Sequence, residues 1–210
     1  MKNAAQLALK LQSLISKHRG VFTIQDLGNL FLSTDPVSRD RRLKSLLEAK
    51  LLYRFCRGIY VAEEFDLEWL SQKICPDSAI SFGSVLAQEM LIGSIPQKTV
   101  YAVKFGKTRF YRSKLGQVVH LGFTSTKEAR NLWFGYDVLK NGIRYANKEK
   151  AFLDVLYFYQ LGQKFSFNIY SDIQFDKLNL KVLNQYLTHY KNPKFVQFVK
   201  GVLGGKHTIG

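Results

Sequence analysis

Acidic side chains are scarce in this sequence. Sixteen Asp and Glu stand against 31 Lys and Arg in 210 residues, a formal net charge of +15. That excess favours a polyanionic partner: nucleic acid, an acidic protein face or anionic lipid. Cysteine is nearly absent. Cys56 and Cys75 lie 19 positions apart, with no flanking His or second Cys. Neither a disulfide framework nor a zinc motif is encoded, and two free thiols in a reducing cytoplasm are expected. No window approaches the ~18 apolar residues of a membrane-spanning helix. The start MKNAAQLALKLQSLISK is interrupted at Gln6, Lys10 and Gln12 and does not form a signal peptide. A soluble cytoplasmic chain with no membrane partner follows.

Catalytic signatures are missing too. His18, His120, His189 and His207 are scattered, none beside a Cys, His or carboxylate at metal-ligand spacing. FGKT at Phe105–Thr108 resembles the end of a phosphate-binding loop, but the required earlier Gly is replaced by Tyr101. Asp154 lies within an apolar helix, where pairing with Lys150 at helical spacing is the simplest reading. Glu149 reads as a first-turn acid. No metal, cofactor or catalytic residue is predicted.

What is present begins with a basic amino-terminal third. Residues 1–62 carry eleven Lys and Arg against four Asp and Glu. Leu7, Leu11, Leu14 and Ile15 space an amphipathic helix over about residues 3–17, stopped by HRG. Val21–Thr23 reads as a short extended piece. Thr23 caps a second helix whose inward face is Ile24, Leu27 and Leu30. Asp35 followed by Pro36 starts a third, since the Asp oxygen satisfies free amides and Pro tolerates the first helical position. On that helix Leu43, Leu46 and Leu47 fall on one side. Ser38, Arg41, Arg42 and Ser45 project from the other. Two strands, Leu51–Phe55 and Ile59–Val61, are joined by a turn at Arg57 and Gly58.

Three helices followed by a basic hairpin predict a winged helix-turn-helix. Such a helix enters the major groove, where Arg bonds guanine edges while Ser and Lys hold phosphates; the hairpin reaches adjacent backbone or minor groove. The expected contacts with double-stranded DNA are Ser38, Arg39, Arg41, Arg42, Lys44, Ser45, Arg54 and Arg57. The competing reading is an ordinary solvated Arg-rich face on a protein-interaction domain.

Residues 63–210 predict a second, mixed α and β domain, making the whole chain α+β. EEFDLEWLSQKICPDS reads as a linking helix. AISFGSVLAQEMLIGSIPQ reads as another, starting near Ser81 with Val85, Leu86, Met90 and Leu91 inward. TVYAVKF, TRFYRS and QVVHLGF carry alternating or β-branched and aromatic residues and are divided by Gly106 and Gly116, predicting an antiparallel meander that LWFGYDVL and IRYA extend. A helix from Asn147 buries Phe152, Val155, Leu156 and Tyr159, and two more cover about 175–189 and 193–203. GGKHTIG should fray. Lys98, Lys104, Lys107, Arg109, Arg112 and Lys114, uninterrupted by acid, form a possible second basic face for nucleic acid or a partner.

The segments GVFTIQDL and SRDRRLKSLLEAKLLYRFCRGIYV resemble the head of the AbiEi-like antitoxins and related transcriptional regulators, one half of type IV toxin-antitoxin systems. AISFGSVLAQEMLIGSIPQKTVYAV and NKEKAFLDVLYF resemble two segments of that family's carboxy-terminal domain, in the same order. The resemblance spans roughly Arg19 to Tyr159. It implies a repressor that binds operator repeats in its own promoter and opposes a cognate nucleotidyltransferase toxin. The alternative expectation is a nucleic-acid-processing enzyme that uses its head to position substrate.

Overall fold

The computed structural model describes residues 2–31, 35–93, 98–123 and 130–204. The chain divides into two compact units, residues 1–76 with 111–117, and residues 77–110 with 118–210. The tail from 205 onward, with His207, lies outside the described residues.

In the first unit α1 (Lys2–His18) ends where Arg19 and Gly20 both take positive φ, and β1 (Val21–Thr23) follows. Gly20 has no substitute: at φ +70 an added Cβ would overlap the Glu64 carbonyl oxygen. Helix α2 (Ile24–Phe31) is started by a reciprocal cap. Thr23 Oγ1 accepts from the Asp26 amide at 3.1 Å, and Asp26 Oδ2 accepts from the Thr23 amide at 2.8 Å. Helix α3 spans Pro36–Glu48.

Strands β2 (Tyr53–Cys56) and β3 (Ile59–Val61) flank a turn in which Gly58 has φ +77. The sheet order is β1-β3-β2, antiparallel throughout, with a bulge between Arg54 and Cys56. Leu11, Phe22, Leu27, Leu30, Phe31, Leu43, Leu46, Leu52 and Tyr60 form one buried cluster against which Leu47 packs. Each such side chain contributes about 1.5–3 kcal/mol of burial. Helix α4 (Leu67–Ile74), capped by the Asp66 carboxylate, completes the unit.

The larger sheet, most of whose residues belong to the second unit, is mixed rather than antiparallel as expected. Six strands run in the order β6-β7-β5-β4-β9-β8. They are β4 (Ala79–Ile80), β5 (Thr99–Phe105), β6 (Arg109–Ser113), β7 (Gly116–Phe123), β8 (Val138–Lys140) and β9 (Ile143–Tyr145). β4 pairs antiparallel with β5 but parallel with β9. β5, β6 and β7 do not form a simple meander, because β7 lies between the other two.

The helix expected from near Ser81 starts there, with Ser81 at its N-cap, but ends early. Ala79 and Ile80 are a central, fully buried strand, and α5 covers only Phe82–Gln88. A two-residue strand buried on both faces has no period to display. Met90, expected inward, has φ +54 and is 68% exposed, because the helix has already ended.

Helix α6 (Lys148–Gln160) is the core of this unit. Asn147 caps it, accepting from the Lys150 amide at 2.9 Å. Every residue from Glu149 to Leu156 is buried, so the helix is enclosed on all sides. Tyr159, expected in the buried stripe, is instead 40% exposed near the helix end. A 3₁₀ turn (Phe175–Lys177), α7 (Leu180–Leu187) and α8 (Pro193–Gly204) follow.

Candidate nucleic-acid interface

The Asp35 carboxylate builds the start of α3 by accepting from the Val37 amide at 3.3 Å and the Ser38 amide at 2.8 Å, with Pro36 in the first turn. Leu43 and Leu46 turn inward, which fixes the rotation of the helix about its axis. Arg41, Lys44 and Ser45 are exposed on the other side, and Ser38, Arg39 and Arg42 are half-buried. Arg54 on β2 and Arg57 in the hairpin turn are both exposed.

The eight predicted contacts are not equivalent. Arg41 projects without an ion pair among the described residues. Lys44 Nζ lies 3.7 Å from Glu48 Oε1, an exposed pair that costs little to open. Arg39 Nε is enclosed, 3.9 Å from Asp40 Oδ1. Arg42 Nη1 donates to the Phe31 carbonyl at the end of α2. That bond ties α3 to α2 and aims the guanidinium along the protein, a constraint that helical spacing cannot reveal.

The possible second basic face draws on both units, with Arg112 and Lys114 in the first and Lys98, Lys104, Lys107 and Arg109 in the second. Arg109 and Arg112 are three apart on β6, so they project from opposite faces of the strand. Lys98 precedes β5 and Lys104 lies near its far end, about 20 Å away at strand rise. Lys104 Nζ donates to the Lys107 carbonyl at 3.3 Å. Lys107, Arg109 and Lys114 are exposed. Strand alternation disperses what the linear run places together.

A polar cluster of another kind is buried in the second unit. Lys150 Nζ donates to Asp154 Oδ1 at 2.6 Å and to Tyr190 Oη at 3.1 Å. Ser81 Oγ and Tyr136 Oη each donate to Asp154 Oδ2 at 2.7 Å. The ammonium also faces the rings of Phe134 and Tyr136, 4.6 and 5.1 Å from their centroids. Burial pushes Lys150 below the ordinary lysine value, against the pull of Asp154. Burial raises the Tyr136 and Tyr190 hydroxyls, reinforced by Asp154, so both stay protonated at neutral pH.

The Lys150–Asp154 pair was legible from helical spacing. Ser81, Tyr136 and Tyr190 were not, because they arrive from distant segments. Gly135 makes room for the cluster: an added Cβ there would sit 2.9 Å from Lys150 Cβ. Glu149 is more than a first-turn acid, since its Oε1 accepts from the Asn179 amide at 2.9 Å and anchors the start of α7. With Asp154 fully buried and its oxygens accepting three donors, this is a structural lock in the conformation described.

His120 is also fully buried, and desolvation followed by the charge of Lys104 lowers its pKa to about 4. It is neutral at pH 7. Among the described residues, no group of three His, Cys, Asp or Glu could hold a metal ion, and no helix is long and apolar enough to cross a membrane.

No protein-family model matches the chain, and no curated protein matches it. Among solved structures, the crystal structure of the RV2827C protein from Mycobacterium tuberculosis is similar, with a TM-score of 0.55 at 14% identity. The match covers 87% of this chain and 71% of that one, and at this identity the likeness is one of fold.

Proposed function

We propose that the chain is a sequence-specific, double-stranded-DNA-binding transcriptional regulator whose first unit is a winged helix-turn-helix. It acts in the cytoplasm as the autoregulating antitoxin of a cognate nucleotidyltransferase toxin. The observation that carries the DNA half is the arrangement of α3. Its apolar side is locked inward by Leu43 and Leu46, while Arg41, Lys44 and Ser45 stand exposed, followed by a hairpin with exposed Arg54 and Arg57. A convex, cationic helix with a cationic hairpin suits a major groove and its flanking phosphates. The antitoxin half is supported by the resemblance in the head and in the segments around Ser81 and Asp154.

The test is a binding titration with duplex DNA from the chain's own upstream region against a scrambled duplex. Six phosphate contacts would make affinity fall by ~10³ or more between 50 and 200 mM salt. Equal affinity for both duplexes, or no binding to either, would overturn the regulator reading. Co-expression with an adjacently encoded nucleotidyltransferase tests the antitoxin half; toxicity that this chain does not relieve overturns it.

A further inference from the structure

Val37 is 76% exposed, more than any other large apolar side chain among the described residues. It sits in the first turn of α3, immediately after Pro36 and four residues before Arg41. A β-branched residue has low helix propensity, so local preference does not account for it there. Spacing of four puts Val37 and Arg41 on one stripe of the helix, and both are exposed. The stripe continues through Lys44 and Ser45, opposite the buried Leu43 and Leu46.

The first turn is held rigidly. Pro36 fixes its own φ, and the Asp35 carboxylate accepts from both the Val37 and Ser38 amides. In most helices those amides could bind a phosphate. Here a carboxylate already occupies them and adds negative charge, so this end of α3 is ill suited to the DNA backbone. It offers a branched methyl surface, exposed to solvent and fixed at the start of the helix, instead. In a major groove the base feature of matching chemistry is the 5-methyl group of thymine, which none of the other three bases carries.

We infer that Val37 determines specificity by packing on a thymine methyl group, with Arg41 reading a guanine further along the same helix face. This deepens the DNA-binding reading above and rests on it. The separation of Val37 and Arg41 along the helix axis is about 6 Å, so the thymine and the guanine fall within the few base pairs that one helix spans in the groove.

The experiment selects sites from a randomised duplex library with the whole chain. It then measures binding to the enriched duplex with each thymine in turn replaced by deoxyuridine, which removes only the methyl group. The wild type should lose about fourfold at one thymine, the factor for one buried methyl group. Val37→Ala should be insensitive to that replacement while keeping its affinity for a scrambled duplex. A site with no thymine near the guanine overturns the inference, as does a uracil effect of equal size in both proteins. Because the change is made on the DNA, the wild-type arm decides even if a variant is impaired. Enrichment of no sequence at all would overturn the DNA-binding reading itself, and this inference with it.

Discussion

Lys150 Nζ lies 2.6 Å from Asp154 Oδ1, one helical turn along α6, and neither side chain has any exposure. Such a pair adds little net stability compared with apolar residues, but losing one member strands the other charge in a dry interior. Lys150→Met should therefore cost about 3–5 kcal/mol in urea unfolding, and Asp154→Leu a similar amount. The second change also leaves the Ser81 and Tyr136 hydroxyls without their acceptor. The double variant should cost less than the sum of the two. Strict additivity would show that the charges are not coupled.

His120 makes stability depend on acid. Unfolded, it takes a proton at its ordinary 6.5; folded, it resists until about pH 4. Between those values the unfolded state holds the extra proton, so stability falls as pH drops through the window and levels off below it. The loss amounts to about 3 kcal/mol at the bottom of the window. His120→Gln should flatten the stability profile between pH 6.5 and 4 relative to wild type. An unchanged slope in that range would assign the acid sensitivity to other groups.

Arg41 and Arg42 adjoin in sequence but do different work. Arg42 donates to the Phe31 carbonyl, a charge-assisted bond between helices worth about 1.5–3 kcal/mol. Arg42→Ala should lower unfolding stability by about that amount. Arg41→Ala should leave it within about 0.5 kcal/mol, as an exposed substitution does. In DNA binding the order reverses: Arg41→Ala should cost about 1–3 kcal/mol on the enriched site and relax preference at one base pair. Equal stability losses in both variants would remove the distinction.

These contrasts mark where the sequence was readable. Caps and periodicity placed α3, because Asp35–Pro36 is a local signal and Leu43 and Leu46 repeat at helical spacing. The hairpin was placed by Gly58, whose positive φ is a property of one residue. Ala79–Ile80 was lost because a two-residue central strand shows no alternation, and its burial comes from neighbours β5 and β9. Arg42, expected to project opposite the leucines, is half-buried for a reason equally invisible in the sequence. Its partner is a backbone carbonyl eleven residues away, and no side-chain pattern records a carbonyl. The linear basic run from Lys98 to Lys114 misled in the opposite direction, since strand alternation separates residues that lie close in the chain.

Arg54 and Arg57 offer the sharpest separation between affinity and specificity. Both are exposed on a hairpin whose turn is tied to α2, with the Ile24 amide donating to the Gly58 carbonyl at 3.0 Å. A cation at a hairpin turn meets phosphates more readily than base edges, and phosphates carry no sequence information. Arg57→Ala should weaken binding to the enriched and scrambled duplexes by the same factor. It should also reduce the slope of log affinity against log salt by about one. Arg54→Ala should behave likewise, and the double variant should reduce the slope by about two. If the hairpin instead enters the minor groove, Arg57→Ala would change the ranking of A·T against G·C at the flanks, and the assignment of the hairpin to backbone contact would fail.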